Sequence, residues 1–273
     1  MEEKKVFGYP AFDESGEMIL AAYDNAYRDM LMDIRVYRMK AGEKRSFRQE
    51  GEECALLLQS GAVTLRWERN EQTVSRRDVF TQGPWALHVS SGVEIQAECV
   101  REGTEILIQR TKNAGRFDSR LYGPADAPWK DVCRGKYGDT ANRFVNTLFD
   151  YASAPWSNMV LGEVLNDRGN WSGFIPHAHP QPEAYYFLFD RPEGFGASFV
   201  GEEVYKSVHR SFSAIPGGKT HPQVCAPGYV MYTCWMIRHL EGNPWTSRVD
   251  DERYLWLNDA PALGRSAEAV GKR

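Results

Sequence analysis

Pro176-His177-Ala178-His179-Pro180-Gln181-Pro182-Glu183 is the stretch from which the rest of this chain can be read. It is an H-x-H-x3-E string, and Pro216-Gly217-Gly218-Lys219-Thr220-His221 follows it as P-x-G-x2-H. On a strand, residues i and i+2 face the same way. His177 and His179 can therefore point into one interior. Glu183 is reached after the Pro180-Gln181-Pro182 turn. His221 arrives from a distant strand after a Pro-Gly-Gly turn that lets the backbone bend sharply. Half of the chain's six histidines lie in these two strings. Three imidazole nitrogens and one carboxylate suit a divalent transition metal, Zn, Mn, Fe, Co or Ni, and the ligand set does not choose among them. Such a site with open positions can bind water or two substrate oxygens.

Working outward, the chain reads as short strands and turns. Leu56 to Leu65 has the form of a hairpin with Ser60-Gly61 at its turn. Val93, Ile95, Ala97 and Cys99 alternate with Glu94, Gln96 and Glu98, the pattern of a half-buried strand. Ile106-Leu107-Ile108 is expected to pair with it across Glu102-Gly103. Arg143 to Tyr151 places Phe144, Leu148 and Phe149 on one face of a short helix. Strands resume at Ser157 to Val164, Glu183 to Phe189, Ser198 to Val200 and Tyr229 to Leu240. Glu183-Ala184-Tyr185-Tyr186-Phe187-Leu188-Phe189 is apolar on both faces and should be buried. Two runs of strands around an irregular, Gly/Pro-rich stretch predict an all-β protein of two barrels or sandwiches. The expected organisation is an N-terminal barrel without a metal site over 1–112 and a connector over 113–150. A C-terminal metal-binding barrel over 151–260 and a loose tail over 261–273 complete it.

Bulk properties exclude several function classes. The 273 residues carry a net charge of −4 and no basic block, so neither nucleic acid nor an anionic membrane is an expected partner. No helix-turn-helix or basic arm is visible. Five widely spaced cysteines without a C-x-x-C suit free thiols in a reducing compartment. The N-terminus lacks an apolar signal region, and no apolar run approaches the ~20 residues that span a bilayer. These features together predict a cytoplasmic protein. Exposed strand edges on two barrels would allow a symmetric homodimer.

Around the metal strings, Trp171, Lys219 and Gln223 are candidate substrate contacts. Lys219 or Arg191 could meet a substrate carboxylate. Tyr185 and Tyr186 follow Glu183, and alternation sends one to the cavity and the other to the opposite side. His88, His209 and His239 stand outside any motif and read as structural histidines.

The two strings resemble the paired motifs of cupins. Gly42-x5-Arg48-x-Glu50-x3-Cys54-x6-Gly61 repeats the first-motif spacing in the first half, but Arg48 cannot ligate a metal. Further residues resemble the 5-deoxy-glucuronate isomerase family, bicupin enzymes of bacterial myo-inositol catabolism. They are Gly162-Glu163-Val164, Gly169-Asn170-Trp171-Ser172, Glu183-Ala184-Tyr185-Tyr186, Glu193-Gly194-Phe195-Gly196, Pro216 to Pro222 and Pro227-Gly228-Tyr229. Arg77-Asp78-Val79-Phe80 and Ala86-Leu87 extend the likeness into the first half. The chain departs from the family pattern at the short Pro180-Gln181-Pro182 segment and at Val208-His209-Arg210-Ser211.

This resemblance implies two tandem cupin (double-stranded β-helix, or jelly-roll) barrels with metal ligands His177, His179, Glu183 and His221. It also implies aldose–ketose isomerisation of a deoxyuronic acid, 5-deoxy-glucuronate, to 2-deoxy-5-keto-gluconate. A divalent ion can polarise the C1 carbonyl while a base moves a proton through an enediol. Glu183 and a hydroxide at the ion are both candidate bases, and the Tyr185 or Tyr186 hydroxyl could relay protons. Two other classes remain open: a cupin dioxygenase, which would consume oxygen, and a sugar-acid-binding cupin without turnover.

Overall fold

The computed structural model describes residues 4–258. The tail expected over 261–273 lies outside the described residues. Among the described residues the structure is nearly all strand, with three short 3-10 helices at Arg28–Met30, Tyr137–Asp139 and Glu252–Asn258.

Two large antiparallel sheets organise the molecule. The main path of the first runs Ala86–Val89, Glu52–Trp67, Thr104–Lys112, Met32–Met39, Glu17–Ala21. That of the second runs Phe212–Ile215, Glu183–Phe189, Met231–Arg238, Met159–Asn166, Arg143–Phe149. The two paths are topologically equivalent. Cys54 sits in register with Val89 and Arg110, as Glu183 does with Ile215 and Ile237. The spacing repeat seen in the sequence is thus a repeat of structure.

Each sheet buries both faces, which explains why Glu183–Phe189 is apolar throughout. Tyr185, Phe187 and Phe189 face the interior of the second barrel with Ile215, Trp235 and Ile237. The alternate residues Ala184, Tyr186 and Leu188 face the first barrel and pack with Met18, Ile34, Leu57 and Leu107. Each large side chain buried at this junction contributes roughly 1.5–3 kcal/mol, so the barrels are held as one unit. The interior of the first barrel is filled by Tyr37, Cys54, Leu56, Leu58, Leu65 and Trp67, among others. Cys54, the counterpart of Glu183, is a thiol pushed up to about 12 by burial, so it stays protonated.

Three expectations are corrected. Leu56 to Leu65 is not a hairpin but part of one bent strand, Glu52–Trp67. Its first half pairs with Thr104–Lys112 and its second with Asn70–Arg76. The corner falls at Gly61 (φ +106°), where a Cβ would stand 2.2 Å from Thr104 Oγ1. Ile95–Cys99 pairs with Lys44–Phe47 and the outer half of the bent strand, not with Ile106–Ile108, because the two lie in opposite walls of the barrel. Arg143 to Phe149 is a strand, not a helix. A bulge between Thr147 and Phe149 puts Leu148 and Phe149 both inward, which breaks the alternation and imitates a helical face.

Strand pairing also crosses the expected domain limits. Phe7–Gly8 adds to the edge of the second barrel's sheet, beside Phe212–Ile215. Within the connector, Arg120–Tyr122 pairs with the first barrel and Lys130–Val132 with the second. Two buried polar clusters tie the barrels together. Arg76 forms a two-pronged pair with Glu163 at 2.7 and 3.0 Å, and both are fully buried. Glu53 accepts from Ser157 Oγ and the Asn158 backbone N–H, and meets His88 Nε2 at 2.9 Å.

Candidate metal centre

His177 lies on the short strand His177–Ala178, which pairs with Val249–Asp250 near the end of the described chain. His179 follows at the strand's end, and Glu183 opens the strand Glu183–Phe189. His221 comes from the loop after Phe212–Ile215. The two sequence strings are knitted directly. The Gly218 N–H donates to His179 O at 2.8 Å, and the space a Gly217 side chain would need is taken by Pro180 O. The short Pro180–Pro182 segment therefore fits against the glycine pair.

All four groups are buried. The carboxylate of Glu183 lies 2.9 Å from His179 Nε2 and 3.2 Å from His221 Nε2. The ring centroids of His177 and His221 are 4.7 Å apart. Each imidazole has its other nitrogen committed. Nδ1 of His177 lies 2.9 Å from Ile175 O, that of His179 3.0 Å from Gln181 O, and that of His221 2.9 Å from Lys219 O. A carbonyl only accepts, so each Nδ1 carries the hydrogen and each Nε2 presents a lone pair. The Nε2 atoms of His179 and His221 then converge on the Glu183 carboxylate. His221 Nε2 is buried without a hydrogen-bond partner. A cation is what this donor set lacks, and backbone bonds from the far ring nitrogen are the usual way of orienting metal-binding histidines. His179, Glu183 and His221 have ligand atoms within 4.8 Å of one another, so the residues fit a metal ion.

Burial alone would lower the His221 imidazole, but the Glu183 charge beside it raises it above its ordinary value. Burial alone would raise the Glu183 carboxyl, but the His221 and His179 rings beside it hold it below the usual carboxylate range. Burial pushes the His177 imidazole down to about 3, with His221 and Arg248 adding to it, which keeps the ring neutral and able to ligate. Burial, reinforced by the Glu183 charge, raises the Tyr185 phenol well above its ordinary value. Its hydroxyl therefore holds its proton.

His177, His179 and Glu183 line a cavity of ≈ 160 Å³ inside the second barrel. Tyr185 and Gln223 are in its wall. Tyr186 is not: alternation turns it to the inter-barrel core, where burial raises its phenol. Trp171 packs outside the cavity in tilted contact with Phe174 and Phe199, and its neighbour Ser172 lines the wall instead and donates to Gln223 Oε1 at 2.9 Å. Arg191 and Lys219 are exposed, on the turn after Phe189 and in the loop before His221, and neither lines the cavity. Residues that the sequence reading missed complete the wall: Arg143, Thr233, Trp235, Trp245 and Arg248. A larger, open depression of ≈ 650 Å³ lies at the mouth of the first barrel. Arg48 and Arg66 on its rim are paired with Glu50, Glu71 and Glu98, so it presents compensated surface charge. His88, His209 and His239 are all away from the cavity.

Over residues 8–257 the sequence matches the KduI/IolB family. The chain belongs to that family. A relative within it is the 5-deoxy-glucuronate isomerase of Geobacillus kaustophilus (strain HTA426), 27% identical over 217 residues, 73% of this chain and 76% of that protein. Another is the 5-deoxy-glucuronate isomerase of Geobacillus thermodenitrificans (strain NG80-2), 26% identical over 240 residues, 81% of this chain and 84% of that protein. This KduI/IolB chain is accordingly an enzyme of the isomerase class. Among solved structures, an IolB-like protein from Salmonella typhimurium LT2 superposes with a TM-score of 0.82 at 19% identity, covering 93% of this chain and 99% of that one. The oxalate decarboxylase of Lactobacillus farciminis gives 0.66 at 10% identity, covering 98% and 96%. These likenesses show the fold expected from the two motif strings, tandem cupin barrels. Among the described residues, no helix is long and apolar enough to cross a membrane.

Proposed function

We propose that this KduI/IolB member is a metal-dependent aldose–ketose isomerase of inositol catabolism that converts 5-deoxy-glucuronate to 2-deoxy-5-keto-gluconate. The observation that carries the metal part is the buried group His179, Glu183 and His221, whose ligand atoms lie within 4.8 Å of one another, with each imidazole tied through Nδ1 to a backbone carbonyl; His177, tied the same way, joins them from the sequence string. The names of the two relatives carry the substrate part. His177, His179, Glu183 and His221 would hold a divalent transition ion, with zinc, manganese, iron, cobalt and nickel all compatible with the donors. When bound, such an ion supplies Lewis-acid polarisation of a carbonyl oxygen.

The chain's own residues would carry the oxygen-bound hydrogen and hold the shape of the cavity, with Glu183 a candidate base for the carbon-bound one. The isomerisation moves one hydrogen from C2 to C1 and one from O2 to O1, with no net oxidation. Tyr185, whose hydroxyl stays protonated beside Glu183 and Gln223, is placed to donate to a substrate oxygen and take the proton back. Ser172 and Gln223 hold each other, and Gln223 Nε2 donates to His221 O at 3.1 Å, so the wall keeps its shape around the ligands. Trp235 and Trp245 pack at 5.9 Å and shield this side of the cavity from water. All five cysteines are unpaired, which supports a reducing, cytoplasmic setting.

Metal analysis of the purified protein followed by NMR of its reaction with 5-deoxy-glucuronate tests this reading. About one ion per chain and formation of the ketose are expected. A metal-loaded protein without turnover would refute the substrate. His179→Ala should weaken metal binding by well over about tenfold, and unchanged metal content would refute the ligand set.

A further inference from the structure

The second barrel contains a buried arginine with no counter-charge. Arg143 is 6% exposed. Its Nη1 donates to Ala141 O at 2.9 Å and touches Cys133 Sγ at 3.3 Å, and its Nη2 reaches Phe174 O at 3.4 Å. Among the described residues no carboxylate lies within ion-pair distance of it. Arg76, the other fully enclosed arginine, shows what a satisfied one looks like. Its guanidinium donates to Glu163, Leu58 O and Gln82 O, and all five N–H groups are used. A buried charge left without an opposite charge is strongly unfavourable, and a cavity wall is where a ligand can supply the missing anion. Arg143 is on that wall, two positions before Val145 on the same face of the strand.

A second guanidinium lies at the edge of the same cavity. Arg248 is exposed and belongs to the segment that brings Trp245 over His179, ring centroids 6.1 Å apart. Its Nε pairs with Asp250 at 3.0 Å. Asp250 is the register partner of His177, so Arg248 is tied to the strand of a metal-ligand candidate. An exposed pair of this kind contributes little to stability, so the guanidinium can turn to an incoming anion at little cost. Glu183, already committed to the histidines, is the sole acidic residue lining the cavity.

We propose that Arg143 and Arg248 form the carboxylate subsite of this cavity, gripping the acid end of a sugar acid so that its other end meets the histidine–glutamate cluster. Arg143 offers a fixed, planar fork suited to two-pronged carboxylate binding, and Arg248 closes on it from the rim. This assignment rests on the isomerase reading for the choice of a uronate, but its own content is which residues select an acid over a neutral sugar. It replaces Lys219 and Arg191, which face solvent.

The test is equilibrium binding of D-glucuronate, D-glucose and glucose 6-phosphate to the metal-loaded protein, with Arg248→Gln and Arg143→Lys beside the wild type. The wild type should prefer glucuronate to glucose by at least about tenfold, the worth of one charge-assisted hydrogen-bonded contact. Arg248→Gln, at an exposed position, should fold normally and lose most of that preference while glucose binding changes less than about twofold. Arg143→Lys keeps the charge without the fork and should lose part of it. Equal losses on glucuronate and glucose, no preference in the wild type, or tighter binding of the phosphate would overturn the subsite. Turnover of 5-deoxy-glucuronate is read separately. Arginine-dependent preference without turnover leaves the subsite standing and removes the isomerase substrate. Turnover with preference untouched by either variant does the reverse.

Discussion

At the scale of single residues, a histidine's role here follows from what each ring nitrogen does. His177, His179 and His221 donate through Nδ1 to backbone carbonyls and turn Nε2 inward. His209 and His239 do the opposite: Nδ1 accepts a backbone N–H, from Phe189 at 3.2 Å and from Trp245 at 2.9 Å. Protonating either ring removes that acceptor. Burial lowers both, His239 to about 4 from an ordinary 6.5. The unfolded chain then binds protons that the native state refuses, so this stability is present above pH 6.5 and is lost as pH falls toward about 4. Urea midpoints measured across that window should decline with acid, and His239→Gln should flatten the decline. The parity of the two tyrosines was available from the sequence once Glu183 was placed in the cavity, because Tyr185 stands at i+2 and Tyr186 at i+3. Arg143 was not available, since reading its segment as a helix hid the fact that residues 143 and 145 share a face.

At the scale of elements, glycines and bulges decide where chain segments pass. Gly162 is one of the family-like residues, and its reason is steric. A Cβ there would lie 2.4 Å from the Trp235 ring and 2.6 Å from Asn146 O. Trp235 lines the candidate metal cavity, so Gly162 sets how deep that ring lies. Gly162→Ala should destabilise the protein by roughly 1–3 kcal/mol through overpacking. Equilibrium denaturation would measure it, with a change in tryptophan fluorescence reporting the displaced ring. The hairpin reading at Ser60-Gly61 failed for a related reason. A glycine with positive φ marks a sharp change of direction, and from sequence alone a turn between strands and a corner within one strand share that signal. The bulge at Thr147–Phe149 likewise placed adjacent apolar residues inward, and a period-2 strand lost its signature.

At the scale of the whole molecule, two cupin barrels share one core, and buried charge crosses it. Glu163 binds Arg76 of the first barrel and also accepts from Tyr232 and Asn146 of the second. Glu163→Gln leaves Arg76 buried without its anion and should cost about 3–5 kcal/mol, whereas Arg76→Met with Glu163→Leu should recover part of that loss. Denaturant titration of the wild type and both variants checks the order. The first barrel thus supports the second structurally while its own interior is closed by apolar side chains. The sequence alone determined the fold class, the repeat and the four candidate ligands, because alternation and turn chemistry are local and act through residues a few positions apart. Only the tertiary structure decided which cations line the candidate cavity. Arg143, Arg248 and His177 come from segments far apart in the chain and line one cavity, and Arg191 and Lys219, though near the motifs in sequence, lie on loops turned to water.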